Sequence, residues 1–152
     1  MKRILSLVTI VTMLAAGTAF AADPVLGTWK LNVEKSKFGS TKLTSGTRVY
    51  TESKGVYTLE QKSTAADGKE VSSKTTYREN KEEKQAPGGI ADVTLAKKID
   101  ANTWDFELKK DGKVVGQVHR TISPDGKTLT VHNKGVKLSG GEGNETLVFD
   151  KQ

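Results

Sequence analysis

The chain has 152 residues, with 24 Lys and Arg against 18 Asp and Glu, and a formal net charge of +6. It carries no cysteine and two histidines, which excludes disulfide staples, thiolate metal sites and a cysteine nucleophile. The charge is mild and spread along the chain. It lacks the clustered Lys and Arg with interleaved aromatics of a nucleic-acid surface, so no nucleic-acid partner is expected.

The first element is a leader. Lys2 and Arg3 precede a mostly apolar stretch over 4–16, and Ala19-Phe20-Ala21 supplies a small-x-small cleavage pattern. The apolar run is too short for a spanning helix. Residues 1–21 are therefore read as a signal peptide cut after Ala21, leaving a mature domain over 22–152. Losing Lys2 and Arg3 takes the formal charge from +6 to +4. The mature chain is expected to be a monomer without an integral membrane segment, in a periplasm or outside the cell.

Beyond the leader, no long segment sustains a helical repeat. Apolar and polar residues alternate, with turn signals about every ten residues, which is the pattern of an all-β sandwich or barrel. Strands are predicted over 25–33, 46–53, 55–63, 69–78, 92–99, 103–110, 113–123, 127–135 and 144–151, with a further short one in 81–86. Asp-Gly-Lys recurs at 67–69, 111–113 and 125–127, each time between two strands. Asp and Gly tolerate the left-handed backbone that tight hairpins need. A calcium loop would need further acidic ligands at regular spacing, and these are missing. The Gly-rich stretches 86–92 and 139–145 read as longer loops. Neither joins a strand to a helix, so neither is a phosphate cradle.

Two hairpin registers can be worked out in advance. With a loop over 124–127, Ser123 faces Thr128, Ile122 faces Leu129 and Arg120 faces Val131, which gathers the apolar residues on one face. With a three-residue loop over 110–112, Lys109 faces Lys113, Leu108 faces Val114, Phe106 faces Gly116 and Trp104 faces Val118. The resulting meander puts Trp104, Phe106, Leu108, Val114, Val118 and Arg120 on an inner face.

The first strand opens with Gly27-Thr28-Trp29-Lys30-Leu31-Asn32, followed by Lys35-Ser36-Lys37-Phe38. This resembles the Gly-x-Trp signature of lipocalin and other calycin barrels. More closely, the chain resembles small secreted bacterial lipocalin-like proteins of unassigned function. It shares with them this start, a hairpin over 123–131 and a last strand near Phe149-Asp150-Lys151. The resemblance implies one all-β domain: an antiparallel up-and-down barrel of about 8–10 strands. It also implies a barrel-closing role for Gly27 and Trp29, with the indole packed against an arginine of a later strand. Parity makes Arg120 the candidate for that arginine. The chain departs from the family in having no helix after the last strand. Its segment 34–45 is too short for the two-helix lid of fatty-acid-binding proteins.

The mature chain has 19 lysines but three arginines, Arg48, Arg78 and Arg120. With lysine covering the surface, each arginine is a candidate for use of its planar fork. Arg48 shares parity with Tyr50, and Arg78 follows Tyr77. Such a cluster inside a barrel holds a carboxylate or phosphate head group, while Trp104 and Phe106 flank an apolar body. The seven residues Arg48, Tyr50, Tyr77, Arg78, Trp104, Phe106 and Arg120 form the expected ligand site; the alternative for Arg48 and Arg78 is an outward strand position beside a local acidic partner. His119 and His132 face each other outward in the 118–131 hairpin. They make a weak candidate metal pair without a third ligand. There is no Gly-x-Ser-x-Gly elbow, and no carboxylate in an apolar setting that would tune it. The expected function is therefore non-catalytic and free of cofactors: binding of a small apolar or amphiphilic ligand. The alternative is a protein-interaction module with a filled core, acting through loops 34–45, 79–91 and 136–145.

Overall fold

The computed structural model describes residues 22–39, 41–135 and 143–152. Residues 1–21, expected to be a leader, and most of the predicted loop 136–145 with its Gly-rich stretch 139–145 lie outside these. Among the described residues there is no helix. Ten strands follow in order: β1 (Gly27–Leu31), β2 (Leu43–Ser53), β3 (Val56–Ala65), β4 (Glu70–Tyr77), β5 (Lys81–Lys84), β6 (Val93–Lys98), β7 (Thr103–Lys110), β8 (Lys113–Ile122), β9 (Thr128–Lys134) and β10 (Glu145–Lys151). All pairings are antiparallel, in the sheet order β4-β3-β2-β1-β10-β9-β8-β7-β6-β5.

The first and last strands are neighbours, with Trp29 opposite Lys151 and Leu31 opposite Phe149. The two edges, β4 and β5, are joined by three residues, so the sheet curls into a nearly closed barrel with one seam. A side chain fills that seam. The Gln85 amide accepts from the Thr76 N–H at 3.2 Å and donates to the Thr76 carbonyl at 2.8 Å, as a backbone peptide of a neighbouring strand would. Gln85→Ala is expected to destabilise the domain by about 1–2 kcal/mol and to speed hydrogen exchange at the Thr76 amide. Unchanged exchange at Thr76 would reject the bridging role.

The 118–131 hairpin has the expected register, with Ile122 opposite Leu129, Arg120 opposite Val131 and His119 opposite His132. The 104–118 hairpin does not. Asp111 (φ 50°) and Gly112 (φ 75°) both take left-handed conformations, so two residues close the turn in place of three. Lys110 then faces Lys113, and a bulge follows between Leu108 and Lys109 of β7 and the opposite strand. Beyond it Leu108 faces Gly116, Phe106 faces Val118 and Trp104 faces Arg120. Val114, expected inside, is 52% exposed. The bulge restores the inward phase of β8 only from Gly116 on, so Arg120 and Val118 still point into the barrel. In the other two Asp-Gly-Lys turns the aspartate acts differently: Asp67 and Asp125 accept the Lys69 and Lys127 N–H groups, each at 3.0 Å.

The core fills the end of the barrel where the chain enters. Trp29 is fully buried, and its indole N–H donates to the Val25 carbonyl at 2.7 Å. The cation over its ring is Lys151, at 4.9 Å. Arg120, expected there, lies instead over four other rings. Gly27 has φ +116°, a conformation that side chains rarely adopt, which explains the glycine of the Gly-x-Trp pair.

Candidate functional site: a cavity with two buried arginines

Strand alternation aims Gly46, Arg48 and Tyr50 of β2 inward, as it does Val118 and Arg120 of β8. Next to the entry end, Tyr57 and Tyr77 stack with ring centres 5.1 Å apart. Trp104 meets both edge-on, at 5.2 and 5.5 Å, and Phe106 meets Tyr77 edge-on at 5.1 Å. The Tyr57 hydroxyl donates to Asp23 Oδ2 at 2.9 Å, which anchors this cluster.

Above the cluster lies a cavity of about 510 Å³. Its polar lining includes Arg48, Tyr50, Tyr77 and Arg120, with hydroxyls and lysines of β4 and β7 at its edge; its apolar lining includes Leu59, Val71, Ile90, Leu108 and Val118. Residues 86–91, read from the sequence as a plain loop, form part of the wall at the mouth. Phe106 lines the cavity, whereas Trp104 packs behind Arg120.

Both arginines are buried. The Arg120 guanidinium lies 5.2–5.7 Å from the centres of the Tyr50, Tyr77, Trp104 and Phe106 rings. It donates to the Tyr77 hydroxyl at 2.8 Å. Arg48 sits 4.6 Å above the Phe149 ring. Its Nε donates to Gln61 Oε1 at 2.8 Å and its Nη1 to the Tyr50 hydroxyl at 3.4 Å. Among the described residues neither guanidinium forms an ion pair. Arg48 Nη2 and Arg120 Nε and Nη2 are buried without a hydrogen-bond partner. The ring faces favour the charge, yet a buried cation without a counter-charge is a costly arrangement. Burial works against the charge of Arg120, and the Tyr77 and Tyr50 oxygens more than offset it, so its pKa is raised.

Tyr77 is pushed up to about 12 from an ordinary 10.0, by burial first, with Arg120 partly offsetting the rise. Tyr57 is raised too, by burial and then by its hydrogen bond to Asp23. A phenol with a raised folded-state pKa holds its proton where the unfolded chain has released it. Its stabilisation is complete below pH 10 and is lost as pH climbs toward 12. Stability is thus expected to fall by about 1–3 kcal/mol between pH 9 and 11.5, and Tyr77→Phe should flatten that fall. Denaturant midpoints across this range check it; a wild-type curve without an alkaline loss would refute it.

Arg78 is not part of the cavity. It points outward and pairs with Glu83, as alternation from the inward Tyr77 dictates. The histidine pair is on the outer face, with ring centres 6.3 Å apart and planes at 27°. His119 Nδ1 is 2.6 Å from Asp105 Oδ1, and His132 Nδ1 is 2.9 Å from Thr146 Oγ1. Among the described residues no group of three potential metal ligands gathers. Sequence reasoning missed Gln61 and Thr94, both buried. Their signal was present: Gln61 falls on the inward parity of Tyr57 and Leu59.

No protein-family model matches the sequence, and no curated protein matches it. Solved structures do. They share its fold, an antiparallel, nearly closed β-barrel. The fatty acid binding protein of Schistosoma mansoni in complex with arachidonic acid superposes with a TM-score of 0.59 at 14% identity, covering 85% of this chain and 96% of that one. Lipid binding protein 8 of Caenorhabditis elegans gives 0.58 at 15% identity, covering 87% and 98%. The wild-type fluorescent protein UnaG gives 0.61 at 14% identity, covering 86% and 98%. At these identities the likeness concerns the fold.

Proposed function

We propose that the chain is a non-catalytic carrier of a small amphiphile with an apolar body and an anionic head. The observation that carries this reading is a cavity of about 510 Å³ whose lining includes two buried arginines, each with N–H groups that lack a partner in the structure. A carboxylate or phosphate accepts from such groups and supplies the missing charge. The apolar wall receives the rest of the molecule. The lipid and fatty-acid binding of two structurally similar barrels supports the same reading. The cavity exceeds the roughly 300 Å³ of a ligand site, which favours a carrier over a module with a filled core.

The apolar leader over 1–21 supports export, with the monomer acting in a periplasm or outside the cell. An intact mass beginning at Ala22 is the expected result; a retained leader argues against export. For the ligand, protein recovered from its own host under native conditions is expected to carry an added mass. Native mass spectrometry followed by solvent extraction should identify it as an acid. Recovery of empty protein that also fails to take up oleate in calorimetry would refute the carrier.

A further inference from the structure

The β7–β8 hairpin ends in apolar surface with no use inside the fold. Strict alternation would bury one of two consecutive valines, but the bulge turns both out: Val114 is 52% and Val115 36% exposed. Ile90, 38% exposed, lies on the neighbouring loop. That loop is tied to the same hairpin. Lys110 Nζ donates to the Gly89 carbonyl at 3.1 Å, and the Asp111 N–H donates to Asp92 Oδ2 at 2.9 Å. Ile90 and Lys110 also line the cavity, so this exposed surface runs on into the cavity wall at the mouth.

The charges around it are unequal. Lys84, Lys110, Lys113 and Lys134 are all exposed. The acidic residues of the hairpin and loop are Asp92, Asp105, Glu107 and Asp111; Asp92 accepts a backbone N–H, Asp105 lies against His119, Glu107 pairs with Lys97, and Glu82 of β5 pairs with Lys109, which leaves Asp111 as the acid at the turn itself. Three exposed apolar side chains inside a rim of lysines, opening on an apolar cavity, match a layer of acyl chains beneath anionic head groups. We propose that this rim docks on an anionic lipid surface, with Val114, Val115 and Ile90 entering the interface and the lysines meeting the phosphates. The mouth of the cavity then faces the lipid directly. A protein surface would match the lysines equally well, but it would not explain an apolar patch continuous with a ligand cavity.

The test uses the chain over 22–152, which contains all ten strands, and vesicles of phosphatidylcholine with or without an equal share of phosphatidylglycerol. Without added ligand, the protein is expected to float with the phosphatidylglycerol vesicles and to release as salt rises. Val114→Ser with Val115→Ser should lower the bound fraction's partition coefficient by about tenfold or more, with thermal unfolding unchanged because both side chains are exposed. Ile99 is the internal control: it is 59% exposed but at the opposite end of the barrel, so Ile99→Ser should leave partition unchanged. Three results would overturn the proposal. One is wild-type protein that stays in solution with anionic vesicles. The second is equal loss in Ile99→Ser and the valine double variant. The third is a concentration-dependent dimer that the double variant abolishes while vesicles bind neither, which would assign the rim to a second copy. The assay needs no bound ligand, so its outcome is independent of the carrier reading.

Discussion

Replacing Trp29 by alanine is expected to lower the stability of the barrel by about 3–5 kcal/mol. The side chain is fully buried, and its strand sits between β2 and β10, so it is packed where the two ends of the chain meet. Truncation opens a large void and leaves the Val25 carbonyl without the indole N–H that reaches it at 2.7 Å. It also removes the ring beneath Lys151, whose ammonium donates to the Pro24 carbonyl at 2.8 Å. Denaturant unfolding of the variant measures the loss, and a value below about 1 kcal/mol would overturn the closing role. A double-mutant cycle locates the partner. Trp29 with Lys151 should couple by about 0.5–1 kcal/mol. Trp29 with Arg120 should be additive within about 0.5 kcal/mol, because Arg120 covers other rings.

Arg120→Met and Arg48→Met are each expected to weaken oleate binding by about 10- to 150-fold, the effect of losing a charged hydrogen bond in a desolvated site. Arg48→Met should leave the unliganded protein about as stable as before, since removing a buried charge relieves its desolvation cost and methionine fills much of the volume. Arg120→Met should cost about 1–3 kcal/mol, because it leaves the buried Tyr77 hydroxyl without the donor that reaches it at 2.8 Å. For Arg48, lost binding with unchanged stability separates a head-group partner from a merely structural arginine. Calorimetry with oleate and with oleyl alcohol completes the test. If both ligands lose affinity equally, the arginines do not read the head group. Arg78→Met serves as the control, since its partner is Glu83 on the outer surface.

The cavity was partly legible in the chain. Arg48 and Tyr50 are two residues apart on one strand, so a period of 2 alone put them on the same face. The scarcity of arginine among lysines singled out the positions worth following. The same period turns Arg78, the neighbour of inward Tyr77, outward, where it pairs with Glu83. The cavity wall over 86–91 escaped this logic, since a Gly-rich loop has no periodicity from which a direction can be read. Trp104 was correctly turned inward by parity, but parity does not say whether an inward ring lines a space or fills it.

By itself the sequence determined the ten strands, their alternation and the Asp-Gly turns, because each depends on residues close along the chain. It also determined that β8 and β9 meet with Arg120 opposite Val131, since one register alone gathers the apolar side chains. The tertiary structure decided what depends on closure. It chose Lys151 over Arg120 as the cation above Trp29, because β1 pairs with β10 and not with β8. It set the seam between β4 and β5, bridged by a glutamine that no local pattern marks. It brought two arginines from β2 and β8, distant in sequence, to one cavity. Whether their charges find a counter-ion depends on side chains from every strand around the barrel.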